Sequence, residues 1–149
     1  MKILALDLGD KWTGTAISDA LRMLARPLET VETKDLPTFL TNLLANERIS
    51  IIVAGHPQTL KGTNSTQTNK IEQQVKELKE QFSNVEWALW DERLTSDQAS
   101  ELMRGKKFTK ENKRYEHSVA AALILGSYLD YLRIGIEPEE FDDEDLDLE

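Results

Sequence analysis

The segment KILALDLGDKWTGTAIS, residues 2–18, decides the fold of this chain. Its first half holds a short apolar run, residues 3–8, which is typical of a strand buried on both faces. Residues 12–18 are rich in Thr and Ile and follow the turn-like sequence GDK at 9–11, which predicts a hairpin. Asp7 stands inside the buried strand, where an ionised carboxylate is unfavourable unless it is paired or binds a metal.

The rest of the chain alternates between strand-like and helix-like segments. We predict further strands at 27–33, 49–54 and 85–90, helices at 35–46, 69–81 and 115–133, and a helix that opens at Thr95. This order predicts an α/β fold with a mixed five-stranded sheet. Its first three strands are expected to be antiparallel and its later strands parallel, with helices on both faces.

Composition sets the broad class of the protein. The chain has 149 residues, of which 40% are apolar, so it suits one domain with a real core. It contains no cysteine, which excludes disulfide frameworks and thiolate chemistry, and no apolar run approaches the ~20 residues of a membrane span. Asp7 comes too early for a signal peptide, so we expect a cytoplasmic protein with no membrane partner.

The net charge of −9 is concentrated at one end of the chain. Residues 137–149 carry nine acidic side chains and no basic one, and the remainder carries 18 of each sign. We therefore expect a folded domain at 1–136 and a disordered acidic tail at 137–149. Residues 104–114 hold six basic side chains, a footprint typical of contact with phosphates.

The candidate chemistry lies at the ends of two predicted strands. The sequence has no Gly-x-Ser-x-Gly, Walker or Gly-x-Gly-x-x-Gly motif. Asp7 lies inside one strand, near its carboxyl end, and Asp91 and Glu92 lie where another strand ends; sites of parallel sheets cluster at these carboxyl ends. Carboxylates brought together there would repel one another unless a divalent cation joined them. Taken singly, Asp7 also fits a turn-capping acid, and residues 91–92 fit a solvated strand end.

Four ordered segments carry a resemblance to a known family. They are DLGDKWTGTAISD at 7–19, VAGHP at 53–57 with Lys61-Gly62 after it, DERLT at 91–95, and SVAAALIL at 118–125. Together they resemble the YqgF (RuvX) family of small bacterial proteins. These are described as similar to Holliday junction resolvases, or as nucleases that process the 5′ end of pre-16S ribosomal RNA.

The resemblance implies an RNase H-like three-layer fold and a metal-dependent nuclease. In the family, three acids bind divalent metal, Mg²⁺ or Mn²⁺, which activates water to hydrolyse a phosphodiester bond. Asp7 and Glu92 match the first two acids, with Asp7 bridging the metals and Glu92 completing their coordination. His117 stands where the family has the third acid. We therefore take Asp7, Glu92 and His117 as candidate catalytic and metal-binding residues.

The expected partner is structured nucleic acid, either pre-rRNA or branched DNA. Its candidate phosphate contacts are Lys11, Arg93, Arg104, Lys106, Lys107 and Lys110. Lys11 and Arg93 also fit ordinary surface salt bridges. A two-fold symmetric junction would favour a homodimer.

Two other functions fit part of the pattern. His117 in place of an acid fits a nucleic-acid-binding protein that kept the fold and has weak or no catalysis. The first strand also resembles that of sugar kinases and actin-like ATPases, but these need a duplicated domain, and 149 residues do not supply two. Metal-dependent cleavage that is lost in Asp7→Asn would distinguish a nuclease from a binding protein.

Overall fold

The computed structural model describes residues 1–56, 66–91 and 110–134, with side chains described at 1–56, 69–91 and 115–133. The strands are β1 (Lys2–Asp7), β2 (Trp12–Ser18), β3 (Ala25–Glu32), β4 (Ile49–His56) and β5 (Glu86–Asp91). The helices are α1 (Leu36–Asn46), which a short 3₁₀ turn (Thr33–Asp35) precedes, α2 (Thr66–Gln81) and α3 (Lys110–Ile134).

The five strands form one mixed sheet in the order β3-β2-β1-β4-β5. β1 pairs antiparallel with β2, and β2 pairs antiparallel with β3. β1 and β4 are parallel, as are β4 and β5. The predicted α/β class and the change from antiparallel to parallel pairing are therefore confirmed.

Strand β1 is buried on both faces because it lies at the centre of the sheet. Leu4 and Leu6 pack into an apolar cluster with side chains of α1 and α2. Ile3 and Ala5 point to the opposite face and pack with side chains of α3. Alternation along the strand thus places Asp7 on the α3 face, in line with Ile3 and Ala5.

The pairing of β2 with β3 is irregular at one point, between Gly14 and Ala16. Thr15 lies at this irregularity and uses its hydroxyl to bridge the strands. Its Oγ1 donates to the Glu29 carbonyl at 2.6 Å and accepts from the Glu29 amide at 2.9 Å. The side chain therefore restores the hydrogen bonds that the local shift in register removes.

Two strand boundaries differ from the prediction by two residues, and the other shifts are of one residue. β3 starts at Ala25, before Pro27, because β3 is an edge strand and an edge strand tolerates a residue without an amide proton. β4 extends past residue 54 to His56, which pairs with Asp91 of β5, so His56 does not open a loop.

Two helices begin earlier than predicted. α2 starts at Thr66 rather than at residue 69, and α3 starts at Lys110 rather than at residue 115. The first residues of α3, KENKRYE, are mostly strong helix formers, so the helix extends into the basic stretch at 104–114. The predicted helix at Thr95 and the acidic tail at 137–149 lie outside the described residues.

Within the described ranges, no helix is both long enough and apolar enough to cross a membrane.

Candidate active site

Asp7 ends the central strand at the edge of the sheet. Its side chain is 21% exposed, and in the sheet the residue pairs with Gly14 of β2. Gly14 in turn pairs with Thr30 of β3, so Thr30, Gly14 and Asp7 form one row across three strands. Opposite residues in antiparallel strands share a face, and this row therefore faces α3.

Helix α3 crosses this row in direct contact with it. A Cβ atom at Gly14 would overlap the backbone carbonyl of His117, so only glycine allows the strand and the helix to approach this closely. Beside this contact, the hydroxyls of Ser118 and Thr30 are hydrogen-bonded at 2.6 Å. These two contacts fix the position of His117 above the sheet.

The close approach brings His117 to Asp7. Nδ1 of His117 lies 3.4 Å from Oδ2 of Asp7, and the His117 side chain is 39% exposed. The hydrogen bond to the Asp7 carboxylate raises the pKa of the His117 imidazole above its usual 6.5. Partial burial opposes this shift, and the negative charges of Asp7 and Glu116 add to it.

The Asp7–His117 pair has the donor set of part of a metal site. Carboxylate oxygen and neutral imidazole nitrogen both bind Mn²⁺, and imidazole suits Mg²⁺ less well. Adjacent ligands of an ion with bonds of about 2.1 Å lie about 3.0–3.4 Å apart, a range that includes the separation of these two atoms. Within residues 1–56, 66–91 and 110–134 no group of three or more such side chains could hold a metal. The two residues therefore fit a metal but need at least one further ligand.

The turn between β1 and β2 is held in place next to Asp7. The Thr33 amide donates to the Lys11 carbonyl at 2.8 Å, and the Thr33 hydroxyl donates to the Gly9 carbonyl at 2.7 Å. Because this hydroxyl has one proton, Thr13 donates the hydrogen bond that joins it to Thr33 at 2.9 Å. The Lys11 ammonium lies 5.8 Å from the centre of the Trp12 ring, a cation–π contact.

Most of the other predicted site residues cannot be placed. The structure brings Asp7 and His117 together, with Lys11 in the adjoining turn. Lys110 is the first residue of α3. The residues that lie outside the described ranges are Glu92, Arg93, Arg104, Lys106 and Lys107.

The residues that position the pair are not evident from the sequence. Gly14, Thr30, Ser118 and Thr33 had no assigned role. The available signal was Gly14, because a glycine inside a strand often marks the close approach of another backbone. The predicted helix at 115–133 puts His117 near its start, whereas α3 begins seven residues before His117.

A second histidine–carboxylate pair lies on the opposite face of the sheet. His56, at the end of β4, places Nε2 3.0 Å from Oε1 of Glu72 on α2. The His56 side chain is 7% exposed and that of Glu72 is 45% exposed. Nδ1 of His56 is buried and has no hydrogen-bond partner in the part of the chain that is described.

Comparison with known proteins connects this arrangement to a family. Residues 1–131 match the RuvX family, which is described as Holliday junction resolvase. A Rubrobacter xylanophilus protein named "Putative pre-16S rRNA nuclease" is 39% identical over 87% of this chain and 92% of its own length. A Dictyoglomus turgidum protein of the same name is 36% identical over 90% of this chain and 97% of its own length.

Solved structures of lower sequence similarity share the fold. Thermus thermophilus RuvC, in a complex with a Holliday junction substrate, superposes with a TM-score of 0.58 at 14% identity over 91% of this chain and 97% of its own. The yeast mitochondrial Holliday junction resolvase superposes with a TM-score of 0.50 at 13% identity, over 99% of this chain and 84% of its own. The RNase H-like fold is therefore confirmed, and the chain is a nuclease that belongs to the RuvX (YqgF) family.

Proposed function

We propose that this nuclease uses a divalent metal held by Asp7, His117 and Glu92 to hydrolyse phosphodiester bonds in structured nucleic acid. The observation that carries the proposal is the 3.4 Å approach of His117 to Asp7. The family's metal acids occupy these positions, and here a histidine reaches the first acid from the third position. The names of the relatives favour pre-16S rRNA as the substrate, and the family description favours a Holliday junction.

Each residue has a separate role in this proposal. Asp7 supplies the carboxylate at the end of the central strand, and His117 supplies an imidazole nitrogen from α3. Glu92 follows Asp91 directly in the chain. Its match to the second metal-binding acid of the family is what assigns it to the ligand set. When bound, a divalent ion lowers the pKa of a water molecule and stabilises the leaving oxygen.

The substitution of histidine for an acid also sets the metal preference. His117 removes one negative charge from the ligand set, which weakens affinity for hard cations, and imidazole favours Mn²⁺ over Mg²⁺. We therefore propose a nuclease that is more active with Mn²⁺.

The basic side chains between 104 and 114 would then hold the phosphates beside this site. Within the proposed domain at 1–136, Arg93 and Lys11 would contact the phosphates nearest Asp7. The acidic tail at 137–149 would compete with nucleic acid for the basic residues.

A second candidate is a nucleic-acid-binding protein with little catalysis. The observation that favours it is that Asp7 already has a partner in His117, and a protonated His117 would satisfy the carboxylate without a metal. Nucleic-acid binding would then depend on the basic residues alone.

A cleavage assay separates the two candidates. Purified protein is offered an RNA that spans the 5′ end of mature 16S rRNA and, separately, a four-way DNA junction, each with Mg²⁺ or Mn²⁺. We expect cleavage that is faster with Mn²⁺, and we expect His117→Asp to increase the Mg²⁺-supported rate. Binding of either substrate without cleavage by any metal would establish the second candidate instead.

The same assay tests His117 as a ligand. His117→Ala should lower Mn²⁺-supported cleavage by about tenfold or more, since one ligand is lost. His56→Ala, which alters the histidine on the other face, serves as the matched control. Equal cleavage by His117→Ala and the parent protein with both metals would show that His117 does not bind the ion.

A further inference from the structure

Helix α3 contacts three neighbouring strands of the sheet through two consecutive residues. The His117 carbonyl lies against Gly14 of β2, where it leaves no room for a Cβ atom. On one side of this contact, Ser118 is hydrogen-bonded to Thr30 of β3 at 2.6 Å. On the other side, the His117 ring lies 3.4 Å from Asp7 of β1. Thr30, Gly14 and Asp7 form one row across the strands, so the hydrogen bond and the candidate catalytic pair flank the same backbone contact.

The contact at Gly14 does not by itself orient the His117 ring. It sets how near α3 lies to the sheet, but it leaves the helix able to rotate about its own axis. Side-chain atoms of an α-helix lie about 5–6 Å from that axis, so a rotation of about 10° moves them by about 1 Å. A movement of this size away from Asp7 would open the 3.4 Å separation beyond hydrogen-bond distance.

The apolar face of α3 restricts only larger rotations. Ala121 and Leu125, both 0% exposed, share the sheet-facing side of the helix with Ser118, at the spacing i, i+3, i+7. Apolar contacts are not directional. The hydrogen bond from Ser118 to Thr30 is directional, so it fixes the helix within the range of angles that the apolar packing allows.

The Ser118 hydroxyl has a second way to be satisfied. Its side chain is 2% exposed, and a buried hydroxyl requires a hydrogen-bond partner. Serine in a helix can bond to the carbonyl four residues earlier in the same helix. If Thr30 lost its hydroxyl, Ser118 could turn to that carbonyl, and the domain would keep its fold. The structure instead joins Ser118 to a different element, β3.

We propose that Thr30 is a positioning residue of the candidate active site, which acts through Ser118 to set the rotation of α3 and so directs Nδ1 of His117 at Asp7. A neutral imidazole carries its proton on the nitrogen that has an acceptor, so this orientation favours the Nδ1–H form of His117 in the metal-free protein. With a divalent ion, the same orientation presents the ring beside the Asp7 carboxylate as a ligand. Only this metal-binding part of the inference rests on the proposed function.

The first experiment uses the metal-free protein. Long-range ¹H–¹⁵N spectra of the labelled full-length chain show which ring nitrogen carries the proton, at a pH above which the nitrogen shifts no longer change. The chain has two histidines, so a His117→Gln spectrum assigns the signals. We expect the Nδ1–H form at His117 in the parent protein and in Thr30→Ser, which keeps the hydroxyl. In Thr30→Val the Nε2–H form should predominate, while the signals of His56 stay unchanged.

The second experiment measures Mn²⁺ affinity by electron paramagnetic resonance of the free ion. Thr30→Val should weaken binding by about tenfold, as expected for the loss of a residue that orients a ligand. Ser118→Ala should have the same effect, and the two changes together should have no more. Ser127→Ala is the matched control, because it removes a hydroxyl of the same helix that accepts from Trp90 at 3.1 Å, and it should bind Mn²⁺ like the parent.

A double variant separates a positioning role from a general effect on the fold. In a His117→Ala background, Thr30→Val should leave Mn²⁺ affinity unchanged, because the ring through which Thr30 acts is gone. An equal loss of affinity in that background, or an Nδ1–H form that persists in Thr30→Val, would overturn the inference. A parent protein that binds no Mn²⁺ would count against the proposed function, and the spectra of the metal-free protein would still decide the role of Thr30.

Discussion

The protein has two histidine–carboxylate pairs near one edge of its sheet, on opposite faces. His56 and Glu72 have the shorter separation, 3.0 Å, and the His56 ring is 7% exposed. His117 and Asp7 are 3.4 Å apart, and the His117 ring is 39% exposed. The pair with the better hydrogen-bond geometry is thus the one whose ring is shut off from solvent. The looser and more open pair is the one that can exchange its partner for an ion or a substrate, and this difference is why we assign the chemistry to it.

The largest expected effect is on cleavage, where loss of the Asp7 carboxylate should matter and loss of the Glu72 carboxylate should not. Asp7→Asn should reduce cleavage by about 10²-fold or more, because it removes the charge that would hold a metal. Glu72→Gln makes the same chemical change in the other pair and should keep cleavage within about threefold of the parent rate. Initial rates with saturating Mn²⁺ measure both. Comparable losses in the two variants would end the functional distinction between the pairs.

The next effect concerns the backbone contact beside the Asp7–His117 pair. Gly14→Ala should lower the free energy of unfolding by about 1–3 kcal/mol, because its Cβ overlaps the His117 carbonyl. Cleavage should also fall, since α3 must move away from Asp7. Urea denaturation measures the stability.

Gly126→Ala is the matched control for this substitution. Gly126 lies in α3, the helix that Gly14 contacts, and nothing lies within 4 Å of the Cβ that the substitution adds. We expect it to stabilise the protein by about 0.5–1 kcal/mol, since alanine favours a helix more than glycine does. A neutral Gly14→Ala would contradict the close contact, and a destabilising Gly126→Ala would contradict the open space at that position.

A smaller effect tests whether the His56–Glu72 pair is structural. Glu72→Ala should cost about 1 kcal/mol of stability, because it removes the partner of a buried imidazole nitrogen. Glu77→Ala, which changes an exposed glutamate of the same helix, should cost less than about 0.5 kcal/mol. In a His56→Leu background, Glu72→Ala should cost no more than Glu77→Ala. Denaturant midpoints of the parent, the three single variants and the double variant decide the matter, and an unchanged cost in the His56→Leu background would refute the pairing.

The smallest effect is a dependence of stability on pH. The folded pKa of His117 is raised above 6.5, so protonation stabilises the folded state. This contribution is complete below pH 6.5 and is lost as the pH rises through the raised pKa. The parent protein should therefore be more stable than His117→Gln at low pH, and this advantage should vanish at high pH. The difference should be small, because solvent screens a ring that is 39% exposed. Thermal melts of both proteins from pH 5 to 9 would show it, and an advantage that grows with pH would be inconsistent with the Asp7 contact.

The sequence predicted the elements of the fold well because period and composition act locally. β2 was placed without error, and the apolar run of β1 identified the central strand. The errors fell at boundaries that distant residues decide. β4 continues to His56 because His56 pairs with Asp91 of β5. α3 starts at Lys110 because the residues there have high helix propensity, but this polar stretch has no apolar face from which a helix could be predicted.

The candidate site was only partly accessible from sequence. Asp7 was identifiable because a carboxylate in an apolar strand is unusual, and His117 because it departs from a family pattern. Their meeting at 3.4 Å depends on Gly14 and on the Ser118–Thr30 hydrogen bond, whose partners lie 88 residues apart in the chain. No local pattern encodes a contact over that separation.

The contact at Gly14 also fixes α3 at one point, next to the Asp7–His117 pair, so a tilt of the helix would rotate it about that point. At about 1.5 Å per residue, Tyr128 lies about 16 Å along α3 from His117, and a tilt of about 5° would move it by about 1.4 Å. The same tilt would barely change the distance from His117 to Asp7, because the fixed point is the backbone of His117 itself. Tyr128 packs with Trp90 and Tyr131 near the carboxyl end of α3. Substitutions among these aromatic residues can therefore shift the carboxyl end of α3 while the distance between Asp7 and His117 is preserved.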